Sequence, residues 1–320
     1  MKKKIIFLIV SIFSVLFCDA VYASETLFVN SRNVKMSQSE LENLRNLGFL
    51  NNEIDVMTQE EFDNNKNLNS VLVSQNIKYY KTITYRIKNS NLLLNNINNN
   101  NNNNNVLYYS EEISEDEYNN SSDSAISPQD QFTQEIVNTE YKQMTASISW
   151  VNNSYYRYKN SLKWKKEPKT RSYDIIGIGI DSTVSAVPSS KTFSMSYMVD
   201  DDSHTYCYPK TVNSVNRWES NSNGVAALFA LPTNSANYKT TNINIYMYFN
   251  VQKLQTTTIN TLNAYGSYKH AQKKFVLNPS FSFGMNSDMT YTFSESVSPS
   301  IVESFDSIQT SHATASGINW

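Results

Sequence analysis

The sequence predicts a mainly β protein: an antiparallel β-sandwich, or a barrel-like relative of one, at the carboxy-terminal end, with a small α-helical and β-hairpin region before it. Three observations predict it. From residue 132 onward, short segments alternate apolar and polar side chains, which is the period of a half-buried strand. Turn residues separate these segments, as at Asn152-Asn153-Ser154, Asp200-Asp201-Asp202-Ser203, Asn223-Gly224 and Asn278-Pro279, where short polar side chains bond their own backbone. Residues 34–66 instead carry repeated helix-start signals, and no later stretch holds an apolar face at helical spacing over three turns.

The amino end reads as a secretory signal peptide over residues 1–23. Lys2, Lys3 and Lys4 give a positive start, Ile5 to Phe17 is apolar apart from Ser11 and Ser14, and Val21-Tyr22-Ala23 supplies a cleavage site,. Cleavage is expected after Ala23, leaving an exported chain that starts at Ser24. The apolar run is too short to span a bilayer, which takes about 20 residues. No transmembrane segment is expected after Ala23. Cys18 raises a lipid-anchor alternative, but Phe17 stands before it where that processing needs a small side chain.

Loss of three lysines and Asp19 takes the formal charge from −2 to −4. No nucleic-acid partner is expected, because such a partner calls for a concentrated basic surface. The shortened chain keeps one cysteine, Cys207, so no internal disulfide can hold it. Stability must come from an ordinary core.

Residues 24–70 read as a small helical region. In Met36-Ser37-Gln38-Ser39-Glu40-Leu41, Ser37 stands as N-cap and Glu40 at N3, each placed to bond the other's backbone, with Met36 and Leu41 as a hydrophobic staple,. Leu44 and Leu47 continue the face, and Gly48 ends the helix because it tolerates the left-handed position after the cap,. The same start recurs at Thr58 to Glu61 and at Ser114 to Glu117.

Residues 71–118 read as a β-hairpin. Ile77, Tyr79, Lys81, Ile83, Tyr85 and Ile87 alternate with mostly polar neighbours, and Val106 to Tyr109 forms a second short strand. Between them residues 91–105 are asparagine-rich, with Asn98 to Asn105 unbroken. A tract of that composition buries no apolar surface and is expected to be a disordered loop. Residues 119–131 read as a linker, and residues 132–320 as the all-β domain. Its clearest strand is Thr241 to Val251: Ile243, Ile245, Met247, Phe249 and Val251 share one face, and Asn and Tyr side chains take the other. Phe193, Met195, Tyr197 and Val199 repeat the pattern. In Gly177-Ile178-Gly179 the glycines serve close packing within a strand, since no helix follows to make a phosphate loop,.

No local signature of catalysis stands out. The mature chain has His204, His270 and His312, far apart in sequence. The metal candidate is Asp200, Asp202 and His204, where clustered carboxylates on a loop would offer oxygen ligands to Ca²⁺. Consecutive aspartates point in different directions, however, and the loop lacks the glycine spacing of a calcium site, so a solvated turn is preferred and no cofactor is expected. The binding candidates are Tyr246, Tyr248, Tyr155 and Tyr156, drawn from a chain with 21 tyrosines. Tyrosine brings flat apolar area with a polar tip, which suits a sugar-stacking or protein-binding platform. Its strand preference explains the same residues without a ligand.

Several strings carry a resemblance. Leu47-Gly48-Phe49, Glu53-Ile54, Met57 to Phe62 and Lys78 to Thr82 are joined by Trp164, Pro168, Arg171 to Gly179 and Ala264 to Ala271. Together they resemble an uncharacterised family of secreted proteins from Gram-positive bacteria. The resemblance implies export and a two-part architecture, and it transfers no catalytic residue.

The expected function is therefore a secreted or cell-surface-associated, non-enzymatic binding protein, whose partner is a cell-wall glycan or a surface protein. The alternative is a secreted hydrolase acting on cell-wall glycan or peptide, with His270 or His204 and a nearby carboxylate as base; Glu167, Asp174 and Asp181 lie near the most apolar strands. A third reading is a membrane-active β protein, in which Ser, Thr and aromatic alternation over residues 280–300 would suit a lipid-facing hairpin.

Overall fold

A computed structural model describes residues 27–87, 106–121, 134–201 and 207–320, apart from 255, 257, 278–280, 289, 294–298 and 303. The segment read as a signal peptide, the asparagine tract read as a disordered loop and most of residues 119–131, read as a linker, lie outside the described residues.

The amino-terminal region opens with a ribbon of β1 (Phe28–Val29) and β2 (Lys35–Met36), then helices α1 (Gln38–Asn46), α2 (Asn51–Asp55) and α3 (Gln59–Asn65). The Ser37 hydroxyl accepts from the Glu40 N–H at 3.3 Å and the Glu40 carboxylate accepts from the Ser37 N–H at 2.8 Å, closing the expected box. Gly48 follows α1 with φ +82°. A Cβ there would come within 2.4 Å of the Ser147 hydroxyl, so both conformation and space require glycine. Thr58 caps α3 through the Glu61 N–H, but the Glu61 carboxylate does not turn back to close a second box. It is engaged elsewhere, as described below.

The chain continues through β3 (Val71–Ile87), β4 (Val106–Ile113), α4 (Glu115–Asn120), β5 (Gln134–Asn152), β6 (Tyr155–Lys166), β7 (Tyr173–Ile180), β8 (Val184–Ala186), a 3-10 turn at Pro188–Ser190, β9 (Thr192–Asp201), β10 (Cys207–Val212), β11 (Arg217–Asn221), β12 (Gly224–Ala230), β13 (Tyr238–Lys253), β14 (Thr261–Lys269), β15 (Phe283–Met285), β16 (Tyr291–Phe293), α5 (Pro299–Val302) and β17 (Gln309–Ser316). The larger sheet runs β10-β9-β13-β6-β5-β3-β4, with β8 also on β13; the smaller runs β11-β12-β7-β14-β17, and every pairing is antiparallel. The chain is mainly β, as its sequence predicts.

Four layers result. The two sheets enclose the main core, in which Ile243, Ile245, Met247, Phe249 and Val251 of β13 join Ile176, Ile178 and Ile180 of β7. Tyr246 and Tyr248 point from β13 to the opposite face, where Phe49, Ile54, Met57 and Phe62 of the helical region cover them. The helical region is therefore packed onto the larger sheet. On the far side, Phe281, Phe283, Met285, Tyr291 and Phe305 cover Ile175, Ala226 and Leu228 of the smaller sheet. Gly177 makes the close approach expected of it: a Cβ there would stand 2.5 Å from the Tyr291 hydroxyl and 3.0 Å from the Ala226 Cβ.

Candidate functional site

The outer face of the larger sheet is polar beneath the helices. Alternation along β6 sends Arg157, Lys159 and Ser161 to this side, and the register sets them opposite Asn250, Tyr248 and Tyr246 of β13. A face of this composition reads in sequence as solvated, yet Lys159 and Tyr246 are each 1% exposed. Buried charges must be paired or they are very costly. The helices supply the partners. Lys159 Nζ donates to Glu53 Oε2 of α2 at 2.6 Å and lies 4.8 Å from the Tyr246 ring centre. Arg157 Nη1 donates to Asn65 Oδ1 of α3 at 2.6 Å, and its guanidinium stacks 4.3 Å from the Tyr248 ring centre.

Glu61 is the least satisfied member of this cluster. Its Oε2 accepts from the Tyr246 hydroxyl at 2.6 Å, while its buried Oε1 has no partner among the described residues. Burial pushes its carboxyl up to about 7 from the ordinary carboxylate range, against the lowering effects of the Tyr246 hydrogen bond and of Lys159 and Arg157. Burial also lowers the Lys159 ammonium, opposed chiefly by the neighbouring Glu53 charge.

Glu61 lines a pocket of 250 Å³ at the edge of the helical layer. Asn64 and Glu60 join it from α3, Thr192 and Phe193 from β9, Tyr248 from β13, and Trp218 from β11, with Lys191 and Asn213 completing the wall. Lys191 Nζ lies 5.7 Å from the Trp218 ring centre and donates to the Ser220 hydroxyl at 3.3 Å. The pocket thus combines a buried carboxylate, two side-chain amides and three aromatic rings. Flat aromatic area with a few convergent polar groups is the usual make-up of a small-molecule site.

The structure changes the reading of the tyrosine platform. Tyr246 and Tyr248 are 1% and 6% exposed and lie under the helices, so they do not form an open stacking surface; Tyr248 still contributes to the pocket wall. Tyr155 is half-buried against the same helical core. Tyr156 belongs to the core between the sheets, its ring centre 4.8 Å from that of Trp320. Of the metal candidates, Asp200 is the next-to-last residue of β9, paired in register with Cys207 and Lys239, while Asp202 and His204 lie outside the described residues. Among the described residues no group of three metal-ligating side chains converges.

Sequence reasoning named Tyr248 but missed Glu61 and Trp218. Glu61 carried one signal, its N3 position after a threonine cap, and that signal also has a purely local explanation. Trp218 lies on a short strand whose alternation is too brief to assign a face.

A second charged cluster is sealed inside the sandwich. His270 Nδ1 lies 2.9 and 3.0 Å from the two oxygens of Asp174, which also accepts from the Ala271 N–H at 3.0 Å and from the Tyr268 hydroxyl. Asp306 takes the Lys142 ammonium at 3.1 Å, the His270 N–H at 2.8 Å and the Gln309 amide at 2.9 Å. His270 and Lys142 are both fully buried. His270 Nε2, the nitrogen that would activate a nucleophile, has no partner among the described residues. The pair has the polarity of a general-base dyad, in an enclosed setting that suits a structural tie between β7, β14 and the outer covering segment. No helix among the described residues is long and apolar enough to cross a membrane. Phe281, Phe283 and Tyr291, from the segment read as a possible lipid-facing hairpin, are packed against the smaller sheet. Compared with models of known families and with curated proteins, the chain matches none.

Proposed function

We propose that the chain is a secreted or cell-surface-associated, non-enzymatic binding protein whose ligand enters the pocket between α3, β9, β11 and β13. The reading begins with the amino-terminal signal pattern. The observation that carries it furthest is the pocket itself, whose wall brings the Glu61 side chain together with Trp218, Asn64 and Asn213. The partner class proposed is a cell-wall glycan or a surface protein.

The Asp174–His270 pair favours this reading over hydrolysis, because both side chains are fully buried and Asp174 is also held by the Ala271 N–H. A general base needs the substrate's proton within hydrogen-bond reach. Co-sedimentation of the purified protein with isolated cell-wall sacculi tests the proposal. Saturable retention on the sacculi is the expected result, and a protein left wholly in the supernatant at high micromolar concentration contradicts a wall-glycan ligand.

A further inference from the structure

Two loops meet at one end of the sandwich. The Thr170 hydroxyl, between β6 and β7, donates to the Gln272 carbonyl at 3.1 Å, just beyond β14, and the Tyr108 hydroxyl of β4 reaches the same oxygen at 3.4 Å. The Gln272 N–H donates to the Ser304 carbonyl at 2.7 Å, and the Phe275 N–H to the Ser172 hydroxyl at 3.4 Å. Phe275 and Leu277 pack into the outer core of the smaller sheet, with the Phe275 ring 5.4 Å from that of Tyr173. Between them Val276 is 88% exposed, the highest value for a large apolar side chain among the described residues. The ties on either side hold it out from the surface. A single exposed valine is ordinary, but its surroundings are basic. Lys273 and Lys274 precede it, both exposed and neither in an ion pair with a described residue, and exposed Lys169 stands next to Thr170 on the facing loop. The carboxylate of that loop, Glu167, is turned to Arg171 at 3.7 Å and to the Ile243 N–H at 3.3 Å. In a chain of formal charge −2, three lysines are thus gathered around a projecting aliphatic side chain. A soluble polyanion would use the ammonium groups and leave Val276 in water. A lipid surface uses both, because anionic headgroups lie directly above an apolar boundary.

We propose that this end of the sandwich docks on an anionic lipid bilayer, with Lys169, Lys273 and Lys274 meeting headgroup phosphates and Val276 entering the acyl boundary. The docking is peripheral: one side chain enters the bilayer and no strand crosses it. The surface shares no residue with the pocket beside α3, so the inference stands apart from the binding reading above.

Co-sedimentation of the purified protein with lipid vesicles tests this. Vesicles of phosphatidylcholine carrying roughly a third phosphatidylglycerol should retain the protein, and vesicles of phosphatidylcholine alone should not. Replacing Lys273 and Lys274 together by Gln should weaken retention about 25-fold, or about fivefold for each ammonium lost. Val276→Ser leaves the charge unchanged and should weaken retention about fivefold, whereas Val276→Leu, one methylene larger, should tighten it about fourfold. Lys210→Gln, at an exposed position on β10, should leave retention as it is. All four positions are exposed, and urea midpoints matching the wild type establish that the variants are folded. Equal retention on the two kinds of vesicle, or retention on neither, overturns the proposal. Retention that falls with the lysine pair but ignores both changes at Val276 assigns the patch to polyanions in general and overturns the lipid reading. A loss with Lys210→Gln as large as that with the lysine pair overturns the placement of the surface.

Discussion

Replacing Glu53 by alanine examines the joint between the helices and the sheet. Glu53 supplies the carboxylate that holds the Lys159 ammonium at 2.6 Å, and the same Oε2 accepts the Leu50 N–H at 2.7 Å at the start of α2. Lys159 is 1% exposed, with the Phe49 and Tyr246 rings at 5.3 and 4.8 Å. Removing one partner of a buried pair typically costs about 3–5 kcal/mol, because the other charge is left uncompensated. Loss of the backbone cap adds about 1 kcal/mol. Glu61 lies in the same cluster and absorbs part of the first penalty, so a total of about 3–4 kcal/mol is expected. Urea unfolding followed by circular dichroism measures it as a fall in midpoint at unchanged slope. The double variant Glu53→Met, Lys159→Met should recover most of the loss, since apolar side chains of similar volume replace buried pairs with little penalty. A loss below about 1 kcal/mol for Glu53→Ala would refute the reasoning, because it would mean that Lys159 reaches water and the helices do not seal the sheet.

Glu61 should also leave a pH signature on stability. Its folded value of about 7 lies above the ordinary 4.5, so the folded state holds the proton longer than the unfolded state. Stability then falls as pH rises from the unfolded toward the folded value, by about 3 kcal/mol if no other group intervenes; unfolding of Glu61→Gln across pH 4 to 8 should lack this fall. His270 is raised from its ordinary 6.5, because the Asp174 charge and hydrogen bond outweigh the lowering effect of burial. Its stabilising contribution is complete below the unfolded histidine value and is lost as pH rises through the folded one. His270→Gln should abolish that loss, read from the same unfolding series above neutrality. Gly48→Ala should cost at least about 1–2 kcal/mol from the left-handed backbone alone, with the Ser147 clash in addition, measurable as a lowered urea midpoint.

Much of the fold was legible because it follows from local rules. The alternation of Ile243, Ile245, Met247 and Phe249 placed β13 and its inward face, and Ser37, Glu40 and Gly48 set the limits of α1 through contacts a few residues apart. The site was less legible because it is built from distant partners. Lys159 and Glu53 are 106 positions apart, and Tyr246 and Glu61 are 185 apart. A strand face of Arg, Lys, Ser and Tyr reads as exposed until a second layer brings carboxylates to it. Tyr246 and Tyr248 were thus correctly put on the face away from the core, but the helical cover over them was not foreseen. The Asp174–His270 pair, 96 positions apart, was named among several carboxylates without a way to single it out.

The central claim is that the pocket between the helical layer and the larger sheet is where this protein meets its ligand. The most direct measurement is retention on cell-wall sacculi of the wild type and Trp218→Ala side by side. Trp218 lines the pocket, is half-exposed and also packs against the edge of the main core, so circular dichroism first establishes that the variant is folded. The account predicts retention of the wild type and release of Trp218→Ala at the same concentration. Equal retention of the two proteins would contradict it.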